Sequence, residues 1–576
     1  MSALMRQNQN RHRSAEEDAA LWQRFRGAPG AAIPDRLAPR PRLVEPLTDA
    51  QPNWKDLSPI APPDPLRGDA LERGIWRHGL ERFELADDAC PWAVADASLH
   101  FLDRIHRFDW LGDLCAQGAA ARERARDLTD AWIAQFGRFD GFAWRAGPTA
   151  DRTWSWMLHG DILFGEDQGR AGRERLEVLL RQIDHAESLA DAAPDVEARF
   201  RTFVVNLART VLLRDETGRA IALERLEAEC TAQLLPDGGH VSRSPQRLLN
   251  MLLDLLTIRA LFEKSALPQV EFIEKWVPRM AAMLGFFRCA DGALHPFNDS
   301  GEARAEQVEA ALSALDLPPR RFSVSPKSGF QKLVRGDAEV LLDVGQAPEM
   351  PFGDLAHAGA LGFEFADGPA RIVTSCGASR EVNVDWQAAV RRTGAHSTLV
   401  LGGRDSAPFR RNEASDLLSP EGPDGISAKR LEEADEIWLD AQHSGYRDNF
   451  GLLHRRRLFL AGDGRRLAGE DSLVRPISRP PEEAAEPIGF EIRFHLHPSV
   501  DAQMGRDAIL LACADGRRWR FRTSHAGARL DRSVYLARGT VERTQQIVLS
   551  GRADPNGDGS EPPNCVRWAF VKEAGE

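Results

Sequence analysis

ALGFEFADGPARIVTSCG, residues 360–377, alternates apolar positions with small or polar ones on either side of Asp367-Gly368. An Asp-Gly pair between two alternating runs is a strong short-range sign of a tight β-hairpin, because the turn needs positive φ at its centre. The pattern repeats around it. QKLVRGDAEVLLDVG (331–345) gives two short strands about Gly336-Asp337. Strand-like runs follow at STLVLGG (397–403), LLHRRRLFLAG (452–462), FEIRFHLHP (490–498), AILLACADGRRWRFRT (508–523) and QQIVLSG (545–551). Many short strands with such turns predict a β-sandwich.

Upstream of Pro318 the period changes. ERLEVLLRQIDHAESLA (174–190) places Leu176, Leu179, Leu180 and Ile183 on one helical face. Helical runs recur at 196–213, where Pro194 is the start signal, and at 221–235, 247–262 and 270–287. Successive helices with short links suggest an α/α array, either an open superhelix or a closed toroid. At 576 residues the chain exceeds what one core normally serves. The expected division is a polar, Pro-rich mobile arm and lead-in (1–65), a helical domain (66–318) and a β-sandwich domain (319–576), with a cleft between the last two.

Composition is that of a globular protein, with 43% hydrophobic and 28% charged residues and no apolar run long enough to span a bilayer. The net charge of −12 argues against nucleic acid as the main partner, while a local arginine cluster still suits an anionic sugar. The seven cysteines form no CxxC pair and suit reduced thiols. The start MSALMRQNQNRHRSAEEDAALW has no apolar secretory core, so the expected location is the cytoplasm, with the periplasm as the alternative. Nucleotide-binding, HExxH and GxSxG motifs are missing from the sequence.

Four constellations could carry chemistry. DGGHVSRSPQRLL (237–249) sets His240 and Arg243 before a helix, with Ser242 or Ser244 as cap and Pro245 at the first helical position. Either His240 is incidental to the turn, or His240 and Arg243 meet an anion at the positive helix end. RTWSWMLHGD (152–161) offers Arg152, Trp154 and Trp156 as core residues or as a sugar-binding surface of flat rings and cations. His357, Cys376 and His396 stand at strand ends and are either unrelated or a convergent Zn²⁺ set. SGYRDNFGLLHRRRL (444–458) brings Tyr446, Arg447, His454 and three consecutive arginines together, as a basic outer face or as the wall of an anion-binding cleft.

Taken together, DGGHVSRSP, DVGQAPEMPFGDLAHAGALGFEFADGPARIVTSCG, RRTGAHSTLVL and YRDNFGLLHRRRLFL resemble the heparinase II/III-like polysaccharide lyases, from about residue 65 to the end. The resemblance implies an incomplete (α/α) toroid followed by an antiparallel β-sandwich, and β-elimination at a uronic acid. That reaction must neutralise the C5 carboxylate, remove the α-proton and protonate the leaving oxygen. The resemblance maps His240 to the family's carboxylate-neutralising position, His357 to catalysis or metal, and His396 to a zinc ligand. From this we take His240 and His357 as the expected acid/base pair, Arg243 at the carboxylate, Tyr446 as a further participant, and zinc at His357 or His396. The expected partner is an acidic polysaccharide or oligosaccharide, and a homo-oligomer is compatible with it. The chain departs from the family in two places. Residues 1–445 contain no tyrosine, where the family's catalytic tyrosine usually lies in the helical domain. The family's HAD reads His357-Ala358-Gly359, so a carboxylate is missing. A non-catalytic glycan-binding or envelope-polysaccharide assembly protein on the same scaffold is therefore the rival. A glycoside hydrolase would need a facing pair among Asp151, Asp237, Asp299 and Glu302, which no spacing supplies.

Overall fold

The structure is a computed structural model that describes residues 52–86, 89–165, 169–191, 195–315, 320–411, 418–433, 435–476 and 486–573. Residues 1–51 of the arm, Pro194 and Pro318 lie outside them. The described part of the lead-in is seated on the helical half: Trp54 and Leu57 are buried, and Trp54 packs on Phe164.

The helical half is an incomplete (α/α) toroid whose long members are Ala119–Phe136, Ala146–Leu158, Arg170–Ala190, Val196–Leu212, Glu216–Gln233, Pro245–Lys264 and Glu271–Phe287. Local chemistry sets their starts. Asp195 accepts from the backbone N–H groups of Glu197 and Ala198, and Ser244 accepts from that of Arg247 with Pro245 first in the helix. The tryptophans are the core of this half. Trp132 and Trp156 meet edge to face at 5.7 Å, and both are fully buried. Trp154 donates to Asp254 at 3.0 Å. Arg152 is fully buried and donates to Gln182 and to the carbonyls of His106 and Ala143, with its guanidinium over Trp132. The sugar-binding reading of Arg152, Trp154 and Trp156 is thus corrected, because 13 residues of amphipathic helix with this much aromatic area bury it inward.

The C-terminal half is an antiparallel β-sandwich of nine and eight strands. The first sheet runs Ala528–Tyr535, Glu542–Ala553, Ile488–Leu496, Ala370–Thr374, Phe363–Asp367, Ala338–Asp343, Phe330–Arg335 and Val324–Ser325, with Leu399–Leu401 also on Ile488–Leu496. The second runs Ser427–Glu433, Glu436–His443, Leu453–Ala461, Arg466–Val474, Cys565–Lys572, Arg518–Thr523, Ile509–Cys513 and Val500–Met504. Asp367 pairs with Ala370 across the expected hairpin turn. Between the sheets Phe363 stacks on Trp568 at 5.7 Å. Period two explains the three arginines: Arg455 and Arg457 point outward to Asp440 and Glu470, while Arg456 points into the core. There Arg456 pairs with Asp471, which also holds His454 and the Trp568 N–H. These three arginines are therefore engaged within the sheet and form no anion-binding wall.

The halves meet at Arg243, which is corrected from a substrate contact to an interdomain bolt. The buried guanidinium pairs with Asp343 and donates to the carbonyls of Ser328 at 2.8 Å, Gln346 at 3.0 Å, and Gly329 and Gly345 at 3.3 Å. It also lies 4.7 Å above the Phe330 ring. A Cβ at Gly345 would stand 2.5 Å from the guanidinium, so only glycine fits there. Removing one partner of a buried pair leaves a charge without compensation, a loss of about 3–5 kcal/mol. Urea unfolding of Arg243→Ala should show a loss of that order. Arg243→Lys should rescue little of it, since an ammonium lacks the planar fork.

Candidate functional site

The strands and loops that leave the junction carry His357 and His396 to one place. Their rings meet at 5.2 Å, inclined by 64°. They line a small cavity with Phe297, Asn298, Glu364 and Ser375. The Asn298 side chain bridges the halves: its Oδ1 accepts from the His357 backbone N–H at 3.2 Å and its Nδ2 donates to the Arg243 carbonyl at 3.0 Å. His357 Nδ1 and His396 Nε2 are buried without a hydrogen-bond partner among the described residues. Burial, then the neighbouring His396 and Arg391, holds His357 well below the usual imidazole range, and burial pushes His396 down to about 4. Both rings are therefore neutral near pH 7 and present bare nitrogens to whatever enters. Gly359 lies beside them. A Cβ there would stand 3.0 Å from His396 Nδ1.

Outside this pair lies a charged rim. Arg247 is buried and reaches Glu197 at 2.9 Å, Asp299 at 3.0 Å and Asp354 at 3.1 Å. Exposed Arg380 closes on Glu197 and Asp299. Burial would raise Asp299, but Arg247 and Arg380 outweigh it and hold the carboxyl below its ordinary range. Three carboxylates thus take up two guanidiniums. Arg391 differs: it donates to the carbonyls of Ala356 and Leu418 and pairs with no carboxylate among the described residues.

The other expected residues are placed elsewhere. His240 is buried, with Nδ1 accepting from the Ser242 N–H at 3.1 Å and Nε2 on Gln233 Oε1 at 2.8 Å. Burial, then Arg247, pushes it down to about 3. Neither nitrogen is offered to a substrate, and the ring pins the turn. Gly238 (φ 91°) and Gly239 lie against Arg279 and Ser328, where side chains would collide. Tyr446 is corrected as well: its hydroxyl, fully buried in the sandwich core, donates to the Leu399 carbonyl at 2.8 Å. Tyr535 likewise donates to Glu302 at 2.6 Å. Cys376 leaves the expected zinc set. Its Sγ is 3.6 Å from His495 Nδ1 and 4.0 Å from Ser533 Oγ, and burial pushes the thiol up to about 11. Zinc at His357, Cys376 and His396 therefore lacks its third donor, and the residues present do not fit it.

Sequence reasoning missed Asn298, Arg247 and Arg391. Asn298 and Asp299 lie in HPFNDSG, a polar turn after an Asp-Gly that signals a functional loop only once its neighbour strand is known.

The buried histidines predict an acid-sensitive fold. His78, His106, His240 and His495 are all pushed down to about 3, chiefly by burial. Such rings take up protons on unfolding below about pH 6.5, so their contribution is full above that value and is lost as pH falls toward 3. Each is worth about 1.4 kcal/mol per pH unit in that window. Urea unfolding at about pH 7 and about pH 5 should show a marked loss, and His240→Gln should lower the slope by one histidine's share.

Residues 317–569 match the family model for the C-terminal domain of heparinase II/III-like proteins. Over 525 residues the chain is 31% identical to FtsZ-localized protein C of Caulobacter vibrioides, covering 89% of each. Its fold superposes on heparinase III with a TM-score of 0.64 at 14% identity, covering 97% of this chain and 89% of that one. A heparan sulfate lyase from Pedobacter heparinus gives 0.51 at 13% identity, covering 91% and 86%.

Proposed function

The chain belongs to the heparinase II/III-like family, and we propose that it works as a glycan-recognising protein associated with FtsZ and does not carry out β-elimination. One observation carries the second part. Both tyrosine hydroxyls of the chain are buried and donate to fixed acceptors, Leu399 O and Glu302 Oε1. A phenol that cannot reach the cavity cannot shuttle the protons of an elimination. The rim agrees, since the guanidiniums of Arg247 and Arg380 are taken up by Glu197, Asp299 and Asp354. Likeness to FtsZ-localized protein C over most of both chains supports the first part. The expected ligand is an acidic polysaccharide, with Arg391 as its cation, and the expected place is the cytoplasm.

A second reading rests on the bare nitrogens of His357 and His396. There His357 takes the α-proton and, as the imidazolium, passes it to the leaving oxygen directly or through the facing His396, while Arg391 neutralises the carboxylate. The two readings separate in one assay, ultraviolet absorbance of unsaturated uronate across a panel of acidic polysaccharides. We expect no rise for wild type, together with co-sedimentation on FtsZ polymers. A rise that vanishes in His357→Ala and His396→Ala would establish the lyase instead. Absence of co-sedimentation would remove the FtsZ association.

A further inference from the structure

A second junction between the halves has the chemistry of a metal centre. After the Glu271–Phe287 helix the chain turns sharply, with the Cys289 N–H donating to Ala293 O and the His295 N–H to Phe287 O, both at 2.9 Å. The turn aims Cys289 and His295 at Glu339 on the Ala338–Asp343 strand of the sandwich. Cys289 Sγ lies 3.4 Å from His295 Nε2, and Glu339 Oε1 lies 2.7 Å from the same nitrogen. Among the described residues these are the only three such side chains whose ligand atoms all lie within 4.8 Å of one another.

Two features distinguish this from a nucleophile with its base. In a proton relay the two imidazole nitrogens face different partners. Here the sulfur, 3.4 Å from Nε2 and 4.0 Å from Nδ1, and the carboxylate, 2.7 Å from Nε2, both stand nearest the same nitrogen, as donors around a common centre do. The opposite nitrogen, Nδ1, faces Glu364 Oε2 at 4.0 Å, on the side where a carboxylate orients a ligating imidazole. Charge points the same way. A Cys289 thiolate with Glu339 and Glu364 would carry three negative charges, and Lys332, 2.8 Å from Glu339 Oε1, supplies one positive charge. Arg371 is already engaged by Asp291. A divalent cation closes the balance.

We propose that Cys289, His295 and Glu339 bind a divalent transition metal, zinc by its donor set, which fastens the helical half to the sandwich. Bond lengths of about 2.3 Å to sulfur and about 2.0–2.1 Å to nitrogen and oxygen separate tetrahedral donors by about 3.3–3.6 Å. The Sγ–Nε2 distance of 3.4 Å lies in that range; on binding, the imidazole turns to carry Nδ1 away from the sulfur and Glu339 opens by about half an ångström. Lys332 keeps the Phe286 carbonyl, 2.8 Å away, and shares or yields Oε1. The partly exposed Glu339 is the way in, since Cys289 and His295 are buried. None of the three ligands lines the His357–His396 cavity, with which the site shares only Glu364, and the proposal owes nothing to the FtsZ reading.

The test loads the full chain with Zn²⁺ or Co²⁺, removes excess by dialysis, and measures metal content and the cobalt–thiolate charge-transfer absorption. Wild type should retain about one equivalent and show the band. Cys289→Ser should abolish the band, His295→Ala should lose the metal, and His357→Ala should keep both. Should either variant fail to fold, Glu339→Gln decides: it should weaken cobalt binding by about tenfold or more. Wild type without the band, metal retained by both Cys289→Ser and His295→Ala, metal lost by His357→Ala alone, or unchanged affinity in Glu339→Gln would each overturn the proposal.

Discussion

A buried guanidinium must be matched in charge and in every N–H, and Arg243 finds those partners only when the two halves are together. Its acceptors come from residues 328, 329, 343, 345 and 346, all in the sandwich, while its own backbone belongs to the mouth of the Pro245–Lys264 helix. Arg243 also holds a φ of 60°, costly for a side-chain-bearing residue. Burial raises Asp343 even with Arg243 beside it, so the pair is not a source of easy stability. Its value is geometric: the fork admits one mutual placement of toroid and sandwich. The rest of the segment serves that placement. Asp237 accepts from the Lys327 and Ser328 N–H groups, and Asn298 ties the Arg243 carbonyl to His357.

That economy bears on function. The segment that the family resemblance assigns to substrate is consumed by architecture, and so is each tyrosine. What remains for a ligand is a small cavity with two neutral imidazoles and a rim where acids and bases are already paired. Such a rim offers a ligand few free charges, and the groups left uncompensated are the unpartnered nitrogens of His357 and His396 inside the cavity.

The architecture was legible in the residues because its signals are local. Asp367-Gly368 announced the hairpin, and the leucine spacing in 174–190 announced the helix. Pro245 and Ser244 announced the helix start. Strands such as Ser427–Glu433 and Arg466–Val474 escaped, being largely exposed or interrupted by charges and glycine. Side-chain roles were less legible. Trp154, Trp156 and Arg152 read equally as cleft or core, since periodicity does not say which face a neighbouring helix covers. His357 and His396 meet, but Cys376 lies with His495, because strand ends close in sequence pattern diverge when Ile488–Leu496 enters the sheet beside Ala370–Thr374. Asn298, Arg391 and the Cys289–His295–Glu339 group depend on contacts across long stretches of chain, which no local pattern encodes.

Gly359 couples two positions that are far apart in the chain. Where the motif that this segment resembles carries an acid, a Cβ would stand 3.0 Å from His396 Nδ1, so the imidazole must give by a few tenths of an ångström to admit any side chain. A change at either residue thus alters the room available to the other, and a carboxylate placed at 359 would come with a displaced His396 ring.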